Sequence, residues 1–258
     1  MERIPYSDRK IQDKEPQRWK PGEFLIDSST LERAVESEVH GPEIETHINQ
    51  NGRLSFKEFD EAKNIETSGY NGIEMRSHGC GISCLHMALS AMDLDYQKKV
   101  KTVGQLALSA MSLHRNDNRM SDSAVLIGNP VFNLKAGWYH DALIYTAEDL
   151  ANVEGARFEN ITFEDLAKLF SSVSQEGRKM LAIISVKNKF WRIKEDFSNV
   201  NTHLVILNGY KIKDGKVSEI CVTDPYVEDE KLIVNKWIEV DDRVRSAFNA
   251  RAMCFTSK

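Results

Sequence analysis

Three residues far apart in the chain have the types and the order needed for nucleophilic catalysis by a thiol. Cys80 lies between two glycines at the predicted start of an apolar helix, His203 precedes four apolar residues, and Asp224 directly follows a β-branched segment. In such sites a thiolate attacks a carbonyl carbon, an imidazole carries the proton, and a carboxylate orients the imidazole. If the three side chains meet in one pocket, the sequence predicts an enzyme that acts on amide or thioester bonds.

The surroundings of Cys80 favour a reactive thiolate. The N-terminus of a helix carries partial positive charge, which stabilises the anion. Gly79 and Gly81 are predicted to let a substrate backbone come close, because glycine has no side chain. The alternative for Cys80 is ordinary core packing, since free cysteine is commonly buried. Cys84, one helical turn later, is predicted to be a core residue.

Among the seven histidines, His203 is the predicted base, because it opens a rigid strand. His78 is predicted to precede the helix of Cys80 and to point elsewhere, and His86 to point away from the thiol. His140, at the start of a later helix, and the nearby Trp138 are predicted to line the cleft.

Asp224 is predicted to close the strand that follows the strand of His203. The separation of 21 residues suits a hairpin that brings two neighbouring strand ends together, with its turn at residues 213–216. Asp224 then accepts the imidazole N–H and fixes its tautomer. The alternative is an ordinary turn aspartate before Pro225.

The order of the elements predicts an α+β fold, because helical patterns come first and strand patterns follow. The patterns predict helices at 80–92, 102–114, 138–150 and from 162, strands at 180–186, 203–207, 216–223 and 251–256, and a short helix within 241–250.

The chain divides into an N-terminal extension, residues 1–67, and a catalytic domain, residues 68–258. In the extension, a capping-box pattern at Ser29 predicts a helix over 31–39. The extension is expected either to occupy the cleft as an inhibitory segment or to add to the sheet.

Residues 47–59 of the extension have the spacing of a calcium-binding loop, with a glycine at the sixth place and Glu58 at the twelfth. The first ligand position holds His47, and the next two hold uncharged asparagines, so one carboxylate remains. That is too little charge for a hard dication. A hairpin turning at Asn51-Gly52, or another structure without metal, is predicted instead.

Composition narrows the classes of function. The 258 residues carry a net charge of −5, with a pI near 5.9, which gives no indication of a nucleic-acid partner. The N-terminus lacks the apolar run of a secretory signal, and no apolar stretch is long enough to span a membrane. Four cysteines without paired spacing predict reduced thiols and no zinc site. We therefore expect a cytoplasmic protein without metal or cofactor, whose partner is a peptide, protein or other acyl substrate.

Short motifs resemble those of the bacteriocin-processing, double-glycine-leader cysteine peptidases and their stand-alone bacterial relatives. These motifs are Cys80-Gly81-x-x-Cys84-Leu85-x-Met87, His203 through Gly209, Asp224-Pro225, and Trp138 after Gly137. The resemblance covers residues 68–257 and implies a papain-like cysteine peptidase, with a helical half that carries Cys80 and a mainly antiparallel sheet that carries His203 and Asp224. The exporter-fused members continue into membrane and ATPase domains not seen in this sequence, so leader removal is not carried over.

One position departs from the pattern of that family. The family places a glutamine six residues before the nucleophile, where its amide donates to the oxyanion; here the residue is Glu74. An ionised carboxylate cannot donate a hydrogen bond. Three outcomes are open: a protonated Glu74, another donor such as Asn71, Ser77 or His78, or an impaired enzyme.

Three functions therefore stay open at the level of sequence. A cysteine hydrolase is the first. An acyl or aminoacyl transferase forms the same thioester, which an amine then resolves in place of water. A binding protein that keeps the fold without catalysis is the third, and Glu74 motivates it.

Overall fold

The computed structural model describes residues 36–45, 47–50, 52, 55–62, 70–113, 131–134, 137–187, 202–228 and 231–258. The helices within these ranges are α1 (Lys57–Glu61), α2 (Gly72–Ser77), α3 (Cys80–Met92), α4 (Leu94–Lys99), α5 (Val103–Leu113), α6 (His140–Leu150), α7 (Phe163–Gln175) and α8 (Asp242–Ala247). None of them is long and apolar enough to cross a membrane.

The strands in the same ranges are β1 (Glu36–His40), β2 (Phe132–Asn133), β3 (Gly137–Trp138), β4 (Val153–Glu159), β5 (Met180–Lys187), β6 (Thr202–Lys213), β7 (Lys216–Glu228), β8 (Lys231–Glu239) and β9 (Phe248–Ser257). Seven of them form one sheet in the order β4-β9-β5-β6-β7-β8, with β1 paired to β6. Every strand pair described in this sheet is antiparallel. β2 and β3 pair separately.

The sheet is buried on both faces, and this burial explains why β5 is apolar along almost its whole length. Leu181 and Ile183 belong to a core that they share with α3, α5 and α6, whereas Ala182 and Ile184 belong to a second core beneath α7 and α8. Successive side chains of a strand point to opposite faces, so one strand supplies both cores. The predicted α+β class is confirmed.

Most predicted elements from residue 80 onward are confirmed. α3, α5 and α6 lie where the apolar spacing predicts them, and α7 begins after Thr162, whose hydroxyl accepts the Asp165 N–H. β6 and β7 form the predicted hairpin, which turns at Asp214 and Gly215 with φ of 52° and 73°. The strands run longer than predicted, and several elements have no predicted counterpart, namely α2, α4, β2, β3, β4 and β8.

The predicted helix over 31–39 is wrong in its described part. Glu36–His40 is the strand β1, which pairs with residues 213–209 of β6. The local pattern favours a helix, but the second half of β6 presents an open edge, and pairing with that edge satisfies the backbone of the segment. The described part of the N-terminal extension therefore adds a strand to the sheet.

The predicted hairpin at Asn51-Gly52 does not form among the described residues of that region. The chain turns through hydrogen bonds from Gly52 to Asn49 (2.9 Å) and from Ser55 to Gly52 (3.0 Å), and it continues into α1 instead of a second strand. Burial of Phe56 and Phe59 in the core explains the helix. Glu58 accepts a hydrogen bond from the Thr102 hydroxyl, at 2.5 Å.

Candidate active site

The candidate nucleophile begins the helix that packs on the sheet. Cys80 is the first residue of α3, and Gly79 is its N-cap. Part of Cys80 is exposed, whereas Cys84, Cys221 and Cys254 are buried. The 13 residues of α3 place the positive end of the helix at the thiol, where it stabilises a thiolate.

The imidazole of His203 lies between the sulfur of Cys80 and the carboxylate of Asp224. Its Nε2 atom is 2.8 Å from Asp224 Oδ1, and because a carboxylate only accepts, Nε2 donates this bond. Hydrogen bonding between the ring and the Cys80 sulfur contributes to the pKa of each group, and because Nε2 bonds Asp224, Nδ1 is the nitrogen available to the sulfur. Sulfur, imidazole and carboxylate thus form a continuous chain across α3, β6 and β7.

The contacts of Cys80 favour its anion. Burial alone raises the pKa of the thiol, but the hydrogen bond and the positive charge of His203 outweigh it. The backbone N–H groups of Leu204 and Gly81 also donate to the sulfur. The pKa of Cys80 therefore lies below its ordinary value.

His203 shows the opposite displacement. Burial lowers the pKa of the imidazole, but the hydrogen bonds to Asp224 and Cys80 and their negative charges raise it to about 10. Because the two groups stabilise each other's charge, their protons are released as a coupled pair. Both shifts thus stabilise the charged forms, a thiolate on Cys80 and an imidazolium on His203.

Asp224 is fully buried, and a second bond orients it. Its Oδ1 atom also accepts the Tyr226 N–H at 2.7 Å, and the Tyr226 ring meets the His203 ring edge-on, with centroids 6.2 Å apart. Its Oδ2 atom has no hydrogen-bond partner among the described residues.

The prediction that Asp224 closes its strand is wrong: β7 continues to Glu228, and the register with β8 shifts on both sides of Asp224. Such bulges turn a side chain out of the regular ladder.

Cys84 is buried, as predicted, on the side of α3 that faces the sheet. Its sulfur donates to the carbonyl of Leu204 at 3.3 Å. Burial raises the pKa of this thiol well above its ordinary value, and the nearby Cys80 and Asp224 add to the effect. Cys84 is therefore a poor nucleophile beside a good one.

Two further histidines considered from the sequence, His86 and His140, lie in other surroundings. His86 contacts the Tyr96 hydroxyl at 2.6 Å, and burial lowers its pKa to about 4. His140 begins α6, where burial and then the charges of Arg157 and Arg251 lower its pKa. Neither histidine takes part in the chain of bonds at Cys80.

The carboxylate of Glu74 caps α2. It accepts the backbone N–H of Asn71 at 2.9 Å, while the Asn71 side chain accepts two N–H groups of the same turn. The proposed substitute donors also bond locally, because Ser77 Oγ lies 2.8 Å from the Glu74 carbonyl and 2.7 Å from His78 Nδ1. Glu74 thus acts as an acceptor at a helix terminus, and capping explains its presence.

Gly79, Gly81 and Trp138 form packed contacts beneath the first turn of α3. A Cβ atom at Gly79 would lie 2.8 Å from the Phe56 ring, and one at Gly81 would lie 3.1 Å from Leu204 and 3.3 Å from Trp138. Trp138 is buried in β3, so the prediction that it starts a helix is wrong. The two glycines permit close packing of the helix terminus against the protein, while close approach of a substrate backbone at this point stays a prediction.

We expect Gly79→Ala to lower the free energy of unfolding by about 1–3 kcal/mol, because its new methyl would also lie 2.9 Å from the Met75 carbonyl, which cannot move aside. Gly81→Ala is the matched comparison: its nearest neighbours are flexible side-chain atoms, and alanine favours a helix, so the change should be much smaller. Urea unfolding of the two variants measures the difference. Equal losses would show that the Met75 carbonyl does not limit the site.

Two contacts of the site involve residues that the sequence did not single out. The Leu204 N–H and the Tyr226 N–H are backbone donors, so no side-chain pattern reports them.

No protein-family model matches the chain. No curated protein matches it.

Proposed function

We propose that the protein is a cysteine hydrolase that cleaves an amide or thioester bond through Cys80, His203 and Asp224. The hydrogen bond that His203 donates to Asp224, together with the mutual effect of His203 and Cys80 on each other's pKa, is the observation that carries this proposal. The nucleophile lies on a helix before the sheet, and its two partners lie on adjacent strands, which favours the papain-like class of cysteine peptidases. The four free cysteines favour a reducing compartment, the cytoplasm.

In the first half-reaction, the Cys80 thiolate attacks the acyl carbon, and the carbonyl electron pair moves to oxygen. The backbone N–H of Cys80 lies in the first turn of α3, where N–H groups have no partner within the helix, and it donates to this oxygen. The oxyanion collapses, the bond to the leaving amine or thiol breaks, and Nδ1 of His203 protonates the leaving group. A thioester on Cys80 remains.

In the second half-reaction, neutral His203 takes a proton from water, which attacks the thioester carbon. The carbon–sulfur bond breaks, the acid leaves, and the thiolate–imidazolium pair is restored. Asp224 holds the ring in one tautomer throughout, because its Oδ1 atom accepts from Nε2 at 2.8 Å.

We expect iodoacetamide to alkylate Cys80 at pH 7 at least about 100-fold faster than Cys221, because thiolates react and thiols do not. The pKa of Cys80 lies below 9.0, whereas burial raises the pKa of Cys221 to about 11. Mass spectrometry of the digested protein measures the rate at each cysteine. In denaturant the four rates should converge.

Cys80→Ala and Cys84→Ala are the matched controls for this experiment, since they remove neighbouring thiols from the same helix. Labelling should vanish in the first variant and persist in the second. Equal labelling of Cys80 and Cys84, or a folded protein that resists the reagent, would contradict the proposal.

A second experiment tests turnover with an activated acyl ester as a generic donor. We expect an acyl adduct on Cys80 that water releases. Addition of glycinamide distinguishes transfer from hydrolysis, because a transferase would form the glycinamide amide in preference to the free acid. A protein that labels at Cys80 but never forms an acyl adduct with a panel of esters and peptides would be a binding protein.

A further inference from the structure

A segment of the N-terminal extension runs from the sheet to the helix of the nucleophile. We call residues 41–45 and 47–50 the strap. Its first part is fixed to the sheet: Gly41 donates to the Asn208 carbonyl at 2.6 Å, and the backbone of Ile44 exchanges two bonds with the Asn235 amide, at 3.1 and 3.0 Å. The strap is thus held in register with β6 and β8.

The second part of the strap contacts both sides of the candidate site. Nε2 of His47 lies 2.6 Å from the backbone carbonyl of Asp224, and the Gln50 N–H donates to the Pro225 carbonyl at 2.9 Å. Between them, the Ile48 N–H donates to the sulfur of Met87, a residue of α3, at 3.2 Å. Since a carbonyl only accepts, Nε2 of His47 carries a proton.

These contacts lie where the pairing of β7 with β8 is irregular. The register between β7 and β8 shifts on both sides of Asp224, so the backbone there departs from the regular ladder. The strap instead binds the two consecutive carbonyls of Asp224 and Pro225. The direction of the Asp224 side chain follows from the direction of its backbone, and that side chain must keep Oδ1 at 2.8 Å from His203.

We propose that the strap positions the carboxylate of the candidate site, and that His47 is the positioning residue that holds Asp224 against His203. The inference deepens the proposed function and rests on it. His47 lies half-buried on the strap and acts through the Asp224 backbone. In this arrangement the extension completes the site from outside the strands that carry it.

The position of Asp224 can be read out without a substrate. The titratable groups that act on the Cys80–His203 pair in the described structure are Asp224 and the buried thiol of Cys84. A displaced carboxylate stabilises the imidazolium less, so the thiolate also loses stabilisation. The lower inflection of the Cys80 alkylation profile against pH should then move to higher pH.

His47→Gln and His47→Asn form a matched pair for this test, because the Gln amide nitrogen reaches as far as Nε2 and the Asn amide nitrogen does not. We expect His47→Asn to slow Cys80 alkylation at pH 7 by about 3–10-fold, because one orienting hydrogen bond is lost. His47→Gln should recover most of the rate. If the asparagine variant does not fold, His47→Leu takes its place in the comparison with His47→Gln, because leucine cannot donate a hydrogen bond.

Tyr210→Phe controls for a general loss of stability, because it removes the buried bond to Ser171 on the opposite face of the sheet. It should lower the unfolding midpoint and leave the alkylation profile unchanged. His47→Asn could instead lower the unfolding midpoint and keep the wild-type profile of Cys80 alkylation against pH. The strap would then have only a structural role, and this inference would be overturned while the proposed function would stand. If Cys80 of the wild type reacts like an ordinary thiol, the proposed function is overturned and the inference with it.

Discussion

His203→Gln is expected to lower the rate of acyl turnover by about 10²–10⁴-fold, the usual contribution of a general acid and base. The variant also loses the group that opposes burial at Cys80, so the pKa of the thiol should rise above 9.0. The thiolate fraction at pH 7 would then be about 1% or less. Stopped-flow alkylation against pH measures this rise, and an activated ester measures turnover.

His86→Gln is the matched control for that experiment, because it also replaces a buried histidine of the region, one that bonds Tyr96 and takes no part in the contacts of Cys80. Its alkylation profile should be that of the wild type. A His203→Gln protein that keeps the wild-type inflection would show that the imidazole does not stabilise the thiolate, and the proposed catalytic role of His203 would fail.

Asp224→Ala is expected to reduce turnover by a similar factor of about 10²–10⁴, because loss of the carboxylate frees the ring to adopt the wrong tautomer. Asp224→Asn should lose less, since its amide oxygen can still accept from both His203 and the Tyr226 N–H. The difference between the two variants separates orientation of the ring from stabilisation of its charge. Equal rates for alanine and asparagine would contradict an orienting role.

Asp224→Ala is also expected to change how the free energy of unfolding depends on pH. The pKa of His203 rises from 6.5 to about 10 on folding. The charged imidazole therefore adds to the free energy of unfolding in full below pH 6.5, and this contribution is lost as the pH rises through 10. The deficit of Asp224→Ala in unfolding free energy should therefore be largest near pH 6 and should narrow toward pH 10. Denaturant titrations at several pH values measure it, and a constant deficit would argue against a charged imidazole.

Local patterns predicted the elements that carry the candidate site. The apolar spacing after Cys80 predicts α3, and the Asp214-Gly215 turn predicts the hairpin that brings His203 and Asp224 to adjacent strands. These signals lie within a few residues of one another, so they can be read from one sequence. The order of nucleophile, base and carboxylate then selects the three residues, and the structure brings them together.

Contacts between distant segments could not be predicted in the same way. The helix predicted over 31–39 is overridden by the open edge of β6, about 170 residues away in the chain, and the register shifts around Asp224 lie where the distant strap contacts β7. The sequence around His47 suggests only a poor metal ligand, because its bond to Asp224 joins residues 177 positions apart in the chain. Glu74 shows the opposite case: alignment by spacing from Cys80 suggests an oxyanion role, while its local contacts define a cap.

The position of β9 has a consequence for how the molecule is made. Among the strands that the structure describes, β9 comes last in chain order, yet it lies between β4 and β5. On the ribosome, β4 therefore has no neighbour in the sheet until β9 emerges, and pairings of such long range form slowly. Synthesis and closure of the sheet are thereby coupled, because the sheet is complete only after β9, the last of the described strands, has been translated.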